Sequence, residues 1–413
     1  MTSVKHFLYQ HRIFFGLFFF LLIYEIVIGN NLEKWEVNEH FITFYTVDFG
    51  LGFCSRFLPG AVYRFLFHDT SVFTASVFAA VLTIIFFIGI CILLEKLLLR
   101  VSMEHRPLCL FFVLLFLVGP ASVSLYVRWL GVLDFYWVFF TLAFFFFIAH
   151  KRLYFLIPPL FVLSVFVHYG AMVCYIPMMA ILLLYKISVT DDKTERKILW
   201  TVFSLSVAFA VFTTLYFLFF EKQNLVYPVE DFNRILIERG ANYTYYYDYD
   251  LYRVVVSKTG EIAFVDEQAD ISFIGKVIGG IKAQIKTTFD EGFKSGSMTE
   301  LALGGVVLLP VIGVIFSSLW SRFRSGEKNK LRSFSLILAG LLFLMTLVFG
   351  TFFSTDTFRW LTHTVMPLFT IFLFISYYEG DMIFEEIKRR FSFVNAPVLI
   401  LFFMIYASLA PSD

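Results

Sequence analysis

Nine ionisable residues fall near the ends of apolar segments in this sequence: Glu25, Asp48, Arg56, Arg128, Asp134, His168, Asp356, Arg359 and His363. A charge at membrane depth is costly unless it is paired or lines a watery cavity, so such residues mark a site by default. Asp48 and Arg56 lie in a stretch broken by glycines and a proline, Asp48 to Gly60. They have the chemistry of a catalytic carboxylate and an anion-binding guanidinium, held where backbone can approach a ligand closely. A loop salt bridge near the headgroups is the plainer account of the same pair. Arg128 and Arg359 each open the tripeptide Arg-Trp-Leu, accompanied by Asp134 and Asp356. The planar guanidinium fork suits phosphate or diphosphate, and Trp suits a sugar face. Interfacial anchoring of Arg on lipid phosphate, with Trp in the aromatic belt, accounts for the same tripeptides. His168 could orient a phosphate or take a proton near neutral pH, although a lone His in apolar sequence is more often a hydrogen-bonded packing residue. His363 follows Arg359 by one helical turn and would share its face, if only to support it.

The elements that must position these residues are membrane helices. The chain is 59% hydrophobic and 16% charged, and its apolar residues come in runs of about 17 to 25, the length that crosses hydrocarbon as helix. The runs lack the alternation of a membrane barrel. About eleven spans are expected (range ten to twelve), near residues 13–29, 71–95, 108–127, 130–150, 153–167, 171–185, 198–219, 299–320, 332–353, 360–378 and 393–411. The fold class is therefore all-α and polytopic. Residues 1–219 form an N-terminal bundle of about seven spans with an outer loop at 30–70. Residues 220–298 form an outer lid of mixed structure, and 299–413 a C-terminal bundle of about four spans. In the lid, the residues predict a helix around Asp231 to Arg239, a hairpin turning at Lys258-Thr259-Gly260 and an amphipathic helix from Ile271 to Phe289. The fifth and sixth spans are short, carry Pro158, Pro159 and Pro177, and meet at His168-Tyr169-Gly170.

Basic residues set the expected orientation. With the N-terminus in the cytoplasm, 19 of the 33 Lys and Arg lie in inner connections and 5 in short outer ones, the rest falling in 220–298. The C-terminus is then extracytoplasmic, the nine ionisable residues gather on the outer side, and the first span is read as a retained helix rather than a removed signal peptide. A net charge of +1 with no basic stripe gives no argument for nucleic acid. Of the cysteines, Cys91, Cys109 and Cys174 lie in spans and Cys54 in the first outer loop, with no metal-binding spacing. No carboxylate cluster for a divalent ion is evident, and no cofactor is expected.

The proline-bearing hairpin with its apical His, Val167-His168-Tyr169-Gly170-Ala171 followed by Ile176-Pro177, resembles a segment of bacterial polysaccharide polymerases of the EpsG/Wzy kind. Asp48, in the outer loop after the first span, is similar in placement to the catalytic carboxylate of C-type (GT-C) membrane glycosyltransferases. The resemblance covers about a third of the chain. It implies a bacterial cytoplasmic (inner) membrane protein that transfers sugar or oligosaccharide from a polyprenyl-phosphate or diphosphate donor to a glycan acceptor at the outer face. Other polysaccharide-assembly membrane proteins are the further partners it implies. On that reading Asp48 and His168 are catalytic, and Arg56, Arg128, Asp134, Asp356, Arg359 and His363 bind substrate. Rival readings are a lipid-linked oligosaccharide flippase or transporter, which calls for midplane polar groups and internal repeats, a membrane acyltransferase, and a structural scaffold.

Overall fold

The computed structural model describes residues 6–7, 9–27, 36–52, 56–67, 70–220, 226–227, 229–240, 254–256, 262–264, 297–324, 330–352, 357–391 and 395–408. Its helices run α1 (Arg12–Val27), α2 (Glu39–Thr46), α3 (Phe57–Leu66), α4 (Val72–Arg100), α5 (Arg106–Leu117), α6 (Ser124–Arg128), α7 (Asp134–Ala149), α8 (Ile157–Val167), α9 (Tyr175–Val189), α10 (Lys193–Phe220), α11 (Val229–Glu238), α12 (Ser297–Arg324), α13 (Lys330–Phe352), α14 (Thr357–Arg390) and α15 (Ala396–Ser408). Two three-residue strands, β1 (Val254–Val256) and β2 (Ile262–Phe264), pair antiparallel on either side of Lys258-Thr259-Gly260. The protein is helical, and α4, α10, α12, α13 and α14 are each long and apolar enough to cross a membrane. The amphipathic helix expected at 271–289 lies outside the described residues.

Burial sorts these helices. In the apolar stretch of α14 89% of residues are buried, against 28% to 44% in the other four. Thus α14 is the central post, packed on α4, α5, α9, α12 and α13, while the others keep an apolar face outward, as helices in lipid do. Pro367 stands inside α14 and Pro310 inside α12, positions that neighbouring helices make tolerable in membrane bundles. Helix α14 also bends at Glu379, whose backbone leaves the helical region (φ −132°, ψ 23°).

Several expected spans differ in detail. The run at 108–127 is not one helix: α5 ends at Leu117, the chain turns through Gly119 (φ +128°) and Pro120, and α6 resumes for five residues. A side chain on Gly119 would stand 1.9 Å from the Tyr406 ring of α15, so only glycine lets these segments meet. Pro158 and Pro177 fall in the first turns of α8 and α9, where the missing N–H costs nothing. The two helices are joined by the tight turn Tyr169–Met172. In the first loop, α3 lies directly against α2, because a Cβ on Gly60 would come within 1.9 Å of the Val47 carbonyl oxygen.

Candidate functional site

Helix α7 begins at Asp134 and α14 at Thr357, and the two starts face each other. Arg359 Nε and Nη2 both donate to Asp134, the second to Oδ1 at 2.9 Å. His363, one turn beyond Arg359, brings Nε2 to 3.0 Å from Asp134 Oδ2. That approach lies off the hydrogen-bonding direction. Asp134 and His363 are each 1% exposed, Arg359 27%. Behind them the Tyr175 hydroxyl lies 3.3 Å from His363 Nδ1 and 2.7 Å from the Tyr126 hydroxyl. A buried carboxylate needs such partners, since an unpaired ion in this setting costs several kcal/mol (roughly 3–5).

His168 closes α8 and caps the turn that follows, its Nδ1 accepting from the Gly170 N–H at 2.9 Å. Neutral imidazole has one acceptor nitrogen, and the Gly170 N–H and the Arg56 guanidinium both face the ring. Nε2 lies 2.6 Å from Arg56 Nη2, which only donates. A buried guanidinium thus sits against the imidazole, a pairing of groups that suits an anionic oxygen. Arg56 is 8% exposed and has left-handed backbone (φ +68°), which costs a non-glycine residue about 1 kcal/mol. Strain of this kind clusters at ligand clamps. Gly170 is needed for the close turn: a Cβ there would stand 2.7 Å from His168 Nδ1 and 3.3 Å from the Trp137 ring.

Trp137 joins the two clusters. One turn after Asp134 on α7, its ring lies 6.0 Å from that of His168 and 5.6 Å from those of both His363 and Tyr175. Its indole N–H donates to the Ser164 carbonyl at 3.1 Å. Arg56, His168, Trp137, His363, Asp134 and Arg359 thus form one connected group drawn from four segments of chain.

Asp48 stands in a different setting. Its Oδ1 accepts from the Gly50 N–H at 2.9 Å and from Arg239 Nη1 at 3.1 Å, and its Oδ2 lies 2.7 Å from Arg64 Nε. Arg239 follows α11 in the mid-chain segment and also donates to the Thr46 carbonyl at 3.0 Å, so that segment is tied to the first loop. An open pocket of about 300 Å³ lies beside Asp48, Phe49, Gly50, Ala61, Arg64 and Phe65. Asp48 thus meets Arg64 and Arg239, neither of which stood out in sequence.

Arg128 ends α6 half-buried, and its charge bears on Tyr24 together with that of Glu25. Asp356 lies outside the described residues. Trp137 carried a sequence signal, its i+3 spacing from Asp134. Arg239 carried none, being 191 residues from its partner. At the far end of α14 a second polar cluster forms around Glu379, which accepts from Tyr185 at 2.6 Å, Arg322 Nη2 at 2.6 Å and Arg332 Nη1 at 2.8 Å. Twenty residues of helix separate Arg359 from Glu379, about 30 Å at 1.5 Å per residue, which is the thickness of the hydrocarbon layer. Among the described residues no group of three or more His, Cys, Asp or Glu is placed to hold a metal ion. No family model, no curated protein and no solved structure matches the chain.

Proposed function

We propose that this chain is a multi-pass protein of the bacterial cytoplasmic membrane that transfers a sugar or oligosaccharide from a polyprenyl-phosphate or diphosphate donor to a glycan acceptor at the outer face. The N-terminus is cytoplasmic, and the shorter apolar helices α1, α5, α7, α8, α9 and α15 complete about eleven passes with the five long ones. The observation that carries the reading is the convergence of Arg56 Nη2 and His168 Nε2 at 2.6 Å. It sets a buried guanidinium against an imidazole in a setting drier than water, where such groups act most strongly on the charge developing on a phosphate oxygen.

In the reaction the acceptor hydroxyl oxygen attacks the anomeric carbon, and the carbon–oxygen bond to phosphate breaks with its electron pair passing to phosphate. Arg56 and His168 hold that oxygen. Arg359, partly exposed and paired with Asp134, adds positive charge to the same connected group. Asp48 takes the hydroxyl proton: of its four lone-pair sites, Gly50, Arg239 and Arg64 engage three. Arg56 and Arg64, at the two ends of α3, are about 12 Å apart along the helix, a span that a sugar and its phosphate bridge. The test is transfer from a synthetic polyprenyl-diphosphate sugar by the purified chain in lipid nanodiscs. Transfer by the wild type and its loss in Arg56→Ala and Asp48→Asn support the reading. No transfer, with donor moved between leaflets of proteoliposomes, replaces it by the flippase.

A further inference from the structure

The pocket beside Asp48 has a composition of its own. Phe49 is 59% exposed and Phe65 86%, and both line a space of about 300 Å³ whose other walls include Asp48 and Arg64. That volume is at the small end of ligand sites. Gly50 and Ala61 keep its floor open, and the position a Gly50 side chain would take lies 3.8 Å from Arg239 Nη2. Arg64 commits only its Nε to Asp48, and Arg239 only its Nη1 to Asp48 and Thr46. Among the described residues the other N–H groups of these two arginines make no protein hydrogen bond. The pocket therefore offers flat apolar rings, spare guanidinium donors and one spare carboxylate lone pair, all within a single opening.

We propose that this pocket is the subsite for the acceptor saccharide, binding a neutral hexose or N-acetylhexosamine unit. A pyranose ring has an apolar face of C–H groups, which lies on an aromatic ring, and an edge of hydroxyls, each donor and acceptor, which needs both signs of partner at once. Phe49 and Phe65 supply the first; Asp48 and Arg64 supply the second. The charges within the pocket largely pair with each other, so an uncharged ligand enters without displacing an ion. A phosphate would meet the Asp48 carboxylate at once, so the pocket favours a ligand without charge. The inference rests on the transfer reading for the word acceptor, and on the pocket alone for the word saccharide.

The experiment is saturation-transfer NMR on the full chain in nanodiscs, with maltose, lactose, cellobiose and chitobiose as probes. At least one probe is expected to take saturation on its ring protons. Its apparent affinity should fall at least tenfold in Phe65→Ala and Arg64→Gln, hold in Phe65→Tyr, and hold in Arg56→Lys. Because Phe65 is outside the core, its replacement leaves folding intact. No binding by any probe, or binding undiminished in Phe65→Ala, overturns the inference. So does strong quenching of Phe65→Trp fluorescence by brominated acyl chains, which would seat the ring in lipid. Absence of saccharide from a chain that still transfers sugar sinks this subsite and leaves the transfer reading standing. Saccharide bound in the pocket of a chain that never turns over a donor does the reverse.

Discussion

Arg56 Nη2 lies 2.6 Å from His168 Nε2, across 112 residues of sequence, while the Gly170 N–H takes the other ring nitrogen of His168. The guanidinium and the imidazole meet at one point. Each is held there by its own chain segment, Arg56 by a left-handed backbone at the start of α3 and His168 by the turn between α8 and α9.

Arg56→Lys keeps the charge and removes the fork. Transfer from a lipid-linked sugar should fall about 100-fold, the usual cost of removing one donor from an anion-stabilising site. Protein level and melting temperature should stay within error of wild type. Initial rates in nanodiscs, with fluorescence-detected size exclusion as the folding control, check this.

Gly170→Ala tests the turn rather than the charge. The added methyl must displace the His168 ring or the Trp137 ring, an overpacking cost of about 1–3 kcal/mol. Transfer is expected to drop as far as in His168→Ala, and combining the two changes should add little. Independent, additive losses would show that Gly170 does not act through His168.

Asp134, at 1% exposure, pairs with the Arg359 guanidinium and lies against the His363 ring. Arg359→Ala should destabilise the protein by about 3–5 kcal/mol, because it takes the guanidinium away from a buried carboxylate. The double change Arg359→Gln with Asp134→Asn should recover part of that loss. Thermal unfolding in detergent of Arg359→Gln, Asp134→Asn and the double variant gives the coupling directly; strict additivity would remove the pair from the stability account.

The orientation can be read chemically. Cys91, Cys109 and Cys174 are buried, so with Cys54 replaced by Ser the background of accessible thiol is low. A cysteine at Phe65 should react with a membrane-impermeant maleimide added outside intact cells, and one at Lys151 only after lysis. The opposite pattern would turn the protein over and move the site to the cytoplasm.

Gly60→Ala should prevent folding rather than impair catalysis. Its methyl would have to pass within 1.9 Å of the Val47 carbonyl oxygen, so α3 could not lie on α2, and the placement of Asp48 and Arg56 would be lost together. Membrane level well below wild type is the expected readout; normal level with normal transfer would refute the packing argument.

Much of this molecule was legible in its residues taken in order. Long apolar runs determine helices, because a backbone in lipid must satisfy its own hydrogen bonds, and the five longest helices fall where such runs stand. The i+4 spacing of Arg359 and His363 and the i+3 spacing of Asp134 and Trp137 were local, and local spacing sets which side chains share a helix face. What tertiary structure alone decided was partnership. Asp48 meets Arg64 and Arg239, Arg56 meets His168, and Asp134 meets Arg359 and His363, across gaps of up to 229 residues. A guanidinium can pair with any carboxylate that packing brings within reach, and sequence carries no distance between helices. The packing that set those distances came from close approaches at Gly60, Gly119 and Gly170, where an absent side chain, silent in composition, fixes how near two segments come.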